Sequence, residues 1–370
     1  MAIRIALEHR TRYTYDRPVD LSPHEIRLRP ASHARTLIEA YALAIRGARH
    51  SIHWQQDAYG NRVARAVFEG TAQELAIDVR LTAQLAAVNP FDFLVAEHAD
   101  RFPFTYLPEE RRALLPYLAS APAAASVAAW ADRVAKRFGV GEAQTVEVLV
   151  GINQELSTGI DYETRMEPGV KPGQQTLGDA RGSCRDSAWL LVEILRHCGF
   201  AARFVSGYLV QLASSKVGDD SRAGSDATEH HAAAPVHDSA AFHAWCEAYV
   251  PGAGWVGMDV TSGLLTAEGH IPLACAAEPH VAAPIIGRAS ASHSLLAFDT
   301  TVRRMDPGEP AGNAAHASLH AFRFRDAGTG EWRNATNKAE LGEIAAHCSE
   351  FEILGEAPAR RNEPLSGEAA

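Results

Sequence analysis

The chain has 370 residues, 46% of them apolar and 22% charged, and its 35 Lys and Arg against 45 Asp and Glu leave a net charge of −10. That composition supplies core material for two or three domains and is too apolar for a disordered chain. The acidic balance argues against a general nucleic-acid binder or an anionic-membrane binder, because both need a basic surface.

The opening segment MAIRIALEHRTRYTYDR has no long apolar run ahead of its first charges, so it does not read as a signal peptide. Nor is any later stretch long enough to span a bilayer. Strand patterns follow over Ile3–Tyr15, Glu25–Arg29, Ala40–Ile45 and Glu74–Leu81, with turn signals at Asp16–Pro18 and Tyr59–Asn61. Residues 1–90 are therefore expected to form an antiparallel β-sandwich domain. Residues 91–122 are proline-rich and read as a linker with a short helix. From 123 to 290 the pattern is mixed, as in an α+β domain. It predicts helices over Ala123–Phe138 and Glu142–Leu156, then one over Gly182–Gly199 with Cys184 at its first turn. In that last helix positions 184, 188, 191, 195 and 198 share one face. A strand over Ala202–Leu212 comes next. Residues 213–240, rich in Ser, Asp, Ala, Gly and His, read as a mobile loop. Two strands, Phe242–Val250 and Trp255–Val260, are joined by the turn Pro-Gly-Ala-Gly. Residues 291–370 hold one further strand over Ala297–Arg304 and a weakly patterned tail.

Three polar residues stand where chemistry is cheap to build. Cys184 sits at the first turn of that helix, where unpaired N–H groups and the dipole favour a thiolate. His243 begins one strand of the hairpin and Asp259 ends the other, so an antiparallel pairing brings them to the same end. An Asp there can fix the imidazole tautomer and stabilise its protonated form. If the helix start meets that end, the chain supplies nucleophile, base and orienting acid.

The blocks GSCRDSAWLLVEILRHCGFAARFVSGYL and AFHAWCEAYVPGAGWVGMDVTSGL resemble the core of the bacterial transglutaminase-like superfamily. In that superfamily G-x-C-x-D, H-A-W-x-E and G-W-x-x-x-D follow one another in this order. The opening RTRYTYDRPVDLSPHEIRLRP, with DAYGNRVAR, is similar to the β-rich domain often fused in front of that core. The resemblance covers about residues 1–290. It implies a papain-like transglutaminase core preceded by the sandwich, with Cys184 as nucleophile, His243 as base and Asp259 as orienting acid. It also implies thiol-dependent chemistry at an amide of a peptide or protein through a thioester. Hydrolysis is expected ahead of crosslinking; acyl transfer to an amine and a non-catalytic binding or assembly module are the alternatives. No cofactor and no metal are implied, Ca²⁺ included.

Two positions depart from the family pattern. Asp259-Val260-Thr261 replaces the usual D-P-T, and no Gln stands just before Cys184. The second oxyanion donor is therefore unassigned, with Gln174, Gln175 and Asn153 as weak candidates.

Other features have plainer readings. Five cysteines (184, 198, 246, 275, 348) without a CxxC pair are expected to be reduced thiols of a cytoplasmic protein. Cys198 and Cys246 fit a core, while Cys275 and Cys348 carry no role. His230, His231 and His237 read as solvated loop residues rather than a metal cluster. Trp245 and Trp255 suit cleft or sheet packing, Asp186 a helix cap, and Arg203 an outward strand position. A protein partner, where there is one, is expected to use the N-terminal β domain.

Overall fold

The opening alternation becomes β1 (Ile3–Asp20), in which Ile5, Leu7, His9 and Thr11 point inward while Arg10 and Arg12 face solvent. This computed structural model describes residues 2–118, 123–139, 142–165, 167–213 and 237–311 in full, and the backbone of 320–326, 332–335 and 348–356. After β1 come β2 (His24–Ile26), β3 (Leu37–Arg46), β4 (Arg49–Gln56), β5 (Arg62–Glu69) and β6 (Thr71–Leu85). They form two antiparallel sheets whose inner faces enclose Ile5, Leu7, Ile26, Leu28, Leu75, Ile77 and Leu81. His9 is an inward polar residue, satisfied by the hydroxyls of Thr300 (2.8 Å) and Thr11 (2.7 Å). Burial pushes its imidazole down to about 4.

The linker carries α1 (Pro108–Leu118) and is pinned to the following domain by Tyr106. The Tyr106 hydroxyl donates to the Tyr249 carbonyl (2.7 Å) and accepts from the Ala201 N–H (2.9 Å). Then come α2 (Ala125–Arg137), α3 (Thr145–Gly159), β7 (Asp161–Tyr162), α4 (Gly173–Asp179), β8 (Arg181–Gly182) and α5 (Cys184–His197). The strands β9 (Ala202–Gln211), β10 (Ser239–Val250), β11 (Gly254–Asp259), β12 (Leu264–Leu265) and β13 (His270–Ala276) make one sheet, in the order β12-β11-β10-β9-β13. Leu191 and Leu195 of α5, Val134 of α2 and Ile152 of α3 pack with Ala244, Cys246 and Met258 of this sheet. The result is a papain-like α+β core behind an antiparallel sandwich. Tyr208, Val210, Ile271 and Leu273 of its sheet extend into the sandwich core, so the two domains share apolar packing.

Two strands from far along the chain complete the sandwich. β14 (Ile285–Ile286) pairs with β2, and β15 (Ser294–Arg304) pairs with β1 along its length. The N-terminal sheets are thus built from two separated stretches rather than from residues 1–90 alone. A last antiparallel sheet holds β16 (His320–Asp326), β17 (Trp332–Ala335) and β18 (Cys348–Glu356). The expected mobile loop falls mostly at 214–236, outside the described residues, as do His230 and His231.

Candidate active site

Cys184 is the first residue of α5 and is partly buried. The helix start is built around Asp186, which is fully buried. Its Oδ2 accepts from the Ser183 N–H (3.0 Å), the Ser183 hydroxyl (2.8 Å) and Arg165 Nε (3.0 Å). Its Oδ1 accepts from the Lys171 N–H (2.7 Å) and Arg165 Nη2 (2.9 Å). Burial alone would raise this carboxyl; the Arg165 guanidinium and the donors from Lys171 and Ser183 outweigh it and hold it at about 2. Asp186 therefore does more than cap the helix: it ties Arg165 and Lys171 to the turn that carries Cys184.

The hairpin delivers the second group. β10 and β11 pair from Val250–Gly254 to Cys246–Met258, which leaves His243 and Asp259 near the open end. His243 Nε2 lies 3.0 Å from Asp259 Oδ1, with both side chains almost wholly buried. The approach is close but poorly aligned for an N–H···O bond, and Nε2 has no aligned partner among the described residues. The same imidazole lies beside Cys184, whose side chain also acts on it. Burial works against a charged His243. Asp259 and Cys184 overcome it and push the imidazole up to about 10. Asp259 is driven the other way: burial would raise it, and the two imidazoles His243 and His270 hold it well below the usual carboxylate range.

His270 was not visible as a site residue in the sequence. It opens β13 and its Nε2 is 3.3 Å from Asp259 Oδ2. The Ser262 hydroxyl (3.2 Å, same oxygen) and the Thr261 N–H (2.9 Å to Oδ1) complete the carboxylate's partners. His243, Asp259 and His270 offer ligand atoms within 4.8 Å of one another, a spacing a cation could span. However, the Ala267 N–H points at His270 Nδ1 (3.3 Å). A metal on Nε2 would require a proton on Nδ1, opposite that donor. The set reads instead as a hydrogen-bonded chain.

The other residues singled out in the sequence take the following places. Asn153 is fully buried, but its amide donates to the Asp259 (3.4 Å) and Leu264 (3.2 Å) carbonyls, so it is not free to serve an oxyanion. Gln174 and Gln175 are exposed on α4. Arg203 is not outward: it is buried, pairs with Glu247 at 2.6 Å and lies 4.1 Å over the Trp255 ring. Trp245 is buried, with its ring edge-on to His270 at 5.2 Å. His237 is exposed. Burial lifts the Cys198 thiol to about 12, Cys275 to about 11, and Cys246 well above the ordinary value. Among the described residues, no helix is long and apolar enough to cross a membrane.

Comparison with known proteins places this geometry in context. Residues 5–84 match the bacterial transglutaminase-like N-terminal region, and residues 132–260 match the transglutaminase-like superfamily. The uncharacterized protein ML0607 of Mycobacterium leprae (strain TN) is 24% identical over 290 residues, covering 77% of this chain and 92% of its own. A candidate cysteine protease from Cytophaga hutchinsonii shares the fold with a TM-score of 0.57 at 16% identity, over 84% of this chain and 93% of its own. The periplasmic domain of TgpA from Pseudomonas aeruginosa aligns at 16% identity with a TM-score of 0.32, over 70% of this chain and 90% of its own.

Proposed function

From the premise that this chain belongs to the bacterial transglutaminase-like superfamily, with both its N-terminal region and its core, we propose a thiol enzyme that acts on amide bonds. Cys184 is the nucleophile, His243 the acid and base, and Asp259 the residue that orients and charges His243. One observation carries the reading. A single buried imidazole lies beside both a cysteine at a helix start and a buried carboxylate 3.0 Å from its Nε2.

The chemistry follows from the proton inventory. The raised affinity of His243 for its proton supports the imidazolium, and the mechanism starts with that imidazolium beside a Cys184 thiolate. The thiolate sulfur attacks the carbonyl carbon, and the carbonyl electron pair moves onto oxygen. The Cys184 N–H, one of the unpaired donors of the helix start, suits that oxyanion. Collapse breaks the C–N bond as His243 passes its proton to the leaving nitrogen, and a thioester remains. Water then gives its proton to His243 and attacks the thioester. The C–S bond breaks, a carboxylic acid departs, and the thiolate–imidazolium pair is restored. An amine in place of water yields a new amide, and hydrolysis is the preferred reading.

The test is turnover of p-nitrophenyl acetate and of a peptide anilide by the parent and by Cys184→Ala. The reading expects turnover only in the parent, with most product as free acid when a millimolar primary amine is present. Equal turnover in both proteins contradicts the enzyme, and amide as the main product contradicts the hydrolytic preference.

A further inference from the structure

The carboxylate of Asp259 has two oxygens, and only one faces His243. Oδ1 meets His243 Nε2 at 3.0 Å and accepts the Thr261 N–H at 2.9 Å. Oδ2 is held from the other side, by the Ser262 hydroxyl at 3.2 Å and His270 Nε2 at 3.3 Å. We propose that His270 is a positioning residue of this site, a fourth member that donates its Nε2–H to Asp259 Oδ2 and so keeps Oδ1 turned toward His243.

Three observations carry the assignment. First, the tautomer is set by the backbone. The Ala267 N–H points at Nδ1 from 3.3 Å, so Nδ1 is the acceptor and the proton resides on Nε2, the nitrogen that faces Asp259. Second, the ring is fixed on the scaffold. His270 is the first residue of β13 and pairs with Leu209 of β9, and Trp245 stands edge-on against it at 5.2 Å. Third, the sheet makes room for this arrangement at Gly207, the β9 residue opposite His243. A Cβ there would sit 2.5 Å from the Trp245 ring and 2.4 Å from the Ile271 carbonyl. The missing side chain leaves room for the Trp245 ring, whose centroid lies 6.4 Å from that of His243 and 5.2 Å from that of His270.

This inference rests on the proposed thiol chemistry, and the experiment separates the two. The rate of Cys184 alkylation by iodoacetamide is measured from pH 4.5 to 10 in the parent, His270→Ala and His270→Gln, together with p-nitrophenyl acetate hydrolysis. A hydrogen bond to a buried charged group is worth about 10- to 100-fold. His270→Ala should therefore lose about that factor in alkylation near pH 6 and in hydrolysis. His270→Gln, whose side-chain N–H can reach Oδ2, should recover most of it. If Ala matches the parent within twofold at every pH, or if Gln loses as much as Ala, the positioning role is refuted. Nitrogen-15 NMR of the parent's imidazoles gives a second readout that needs no variant: the Nε2–H tautomer at His270 supports the proposal, and the Nδ1–H tautomer overturns it. A parent Cys184 with the pH profile of an ordinary thiol would instead defeat the thiol-enzyme reading, while leaving the tautomer result to stand on its own.

Discussion

Replacing Asp186 by Asn changes one buried atom and should loosen the platform that carries Cys184. Five donors converge on this carboxylate: two from Arg165, two from Ser183 and the N–H of Lys171. Both oxygens are used, so either flip of an Asn amide turns an NH₂ group onto donors. The Arg165 guanidinium, only 13% exposed, then loses its closest charge partner and keeps only the more distant Glu167, at 4.0 Å. Breaking one side of a buried pair costs about 3–5 kcal/mol. At ~2–4 °C of melting temperature per kcal/mol, the loss is on the order of 10 °C. The pH dependence has a definite sign. The folded carboxyl is held at about 2 against an ordinary 3.8. Its contribution is therefore present above pH ~4 and lost as pH falls toward 2, amounting to about 2 kcal/mol. The assay is thermal unfolding by near-ultraviolet circular dichroism at pH 7 and pH 3, for the parent, Asp186→Asn and the Arg165→Met/Asp186→Asn double variant. The gap between parent and Asn should narrow at the lower pH, and the double variant should recover part of the loss because no buried charge is left alone. An Asn variant within about 1 kcal/mol of the parent, or a gap that widens at pH 3, refutes the argument.

Asp259→Asn removes the charge that offsets the burial of His243. Hydrolysis of p-nitrophenyl acetate should fall by roughly 10³- to 10⁴-fold. With Asp259 in place the imidazole is raised to about 10, so the charged His243 contributes stability fully below its unfolded value near 6.5 and loses it as pH rises through about 10. In the Asn variant burial prevails, and alkylation of Cys184 near pH 6 should slow; an unchanged pH profile would contradict this. Tyr106→Phe removes the donor to the Tyr249 carbonyl and strands the buried Ala201 N–H, costing about 1–3 kcal/mol. Thermal unfolding should register that loss while esterase activity stays near the parent's.

The placement of Cys184 at a helix start, and of His243 and Asp259 at one end of a hairpin, was legible because local rules fix it. A five-position stripe set the register of α5, and a hairpin with a short turn returned Asp259 to the end where His243 begins. What escaped the sequence depends on sheet order. His270 reaches Asp259 because β13 lies beside β9, a neighbour relation that no periodicity encodes. Ile285–Ile286 and Ser294–Arg304 join sheets made by the first ninety residues for the same reason: a strand pattern does not name its partner. Arg203 was misread because alternation marks two faces without saying that both are covered, and here the second face holds Glu247 and Trp255. Asn153 was misread because the use of a buried amide is set by whichever carbonyls it meets, which in this fold belong to Asp259 and Leu264.

The most direct test of the central claim is the mass of the protein during turnover. Acid quenching seconds after mixing with p-nitrophenyl acetate, followed by intact mass measurement and peptide mapping, reads which side chain carries the acyl group. The thioester mechanism predicts one acetyl group, on Cys184, absent from Cys184→Ala and slow to form in His243→Ala. Cys198, Cys246 and Cys275 should remain unmodified, since burial raises all three thiols. An acetyl group on one of those cysteines with Cys184 bare, or turnover that persists undiminished in Cys184→Ala, would contradict it.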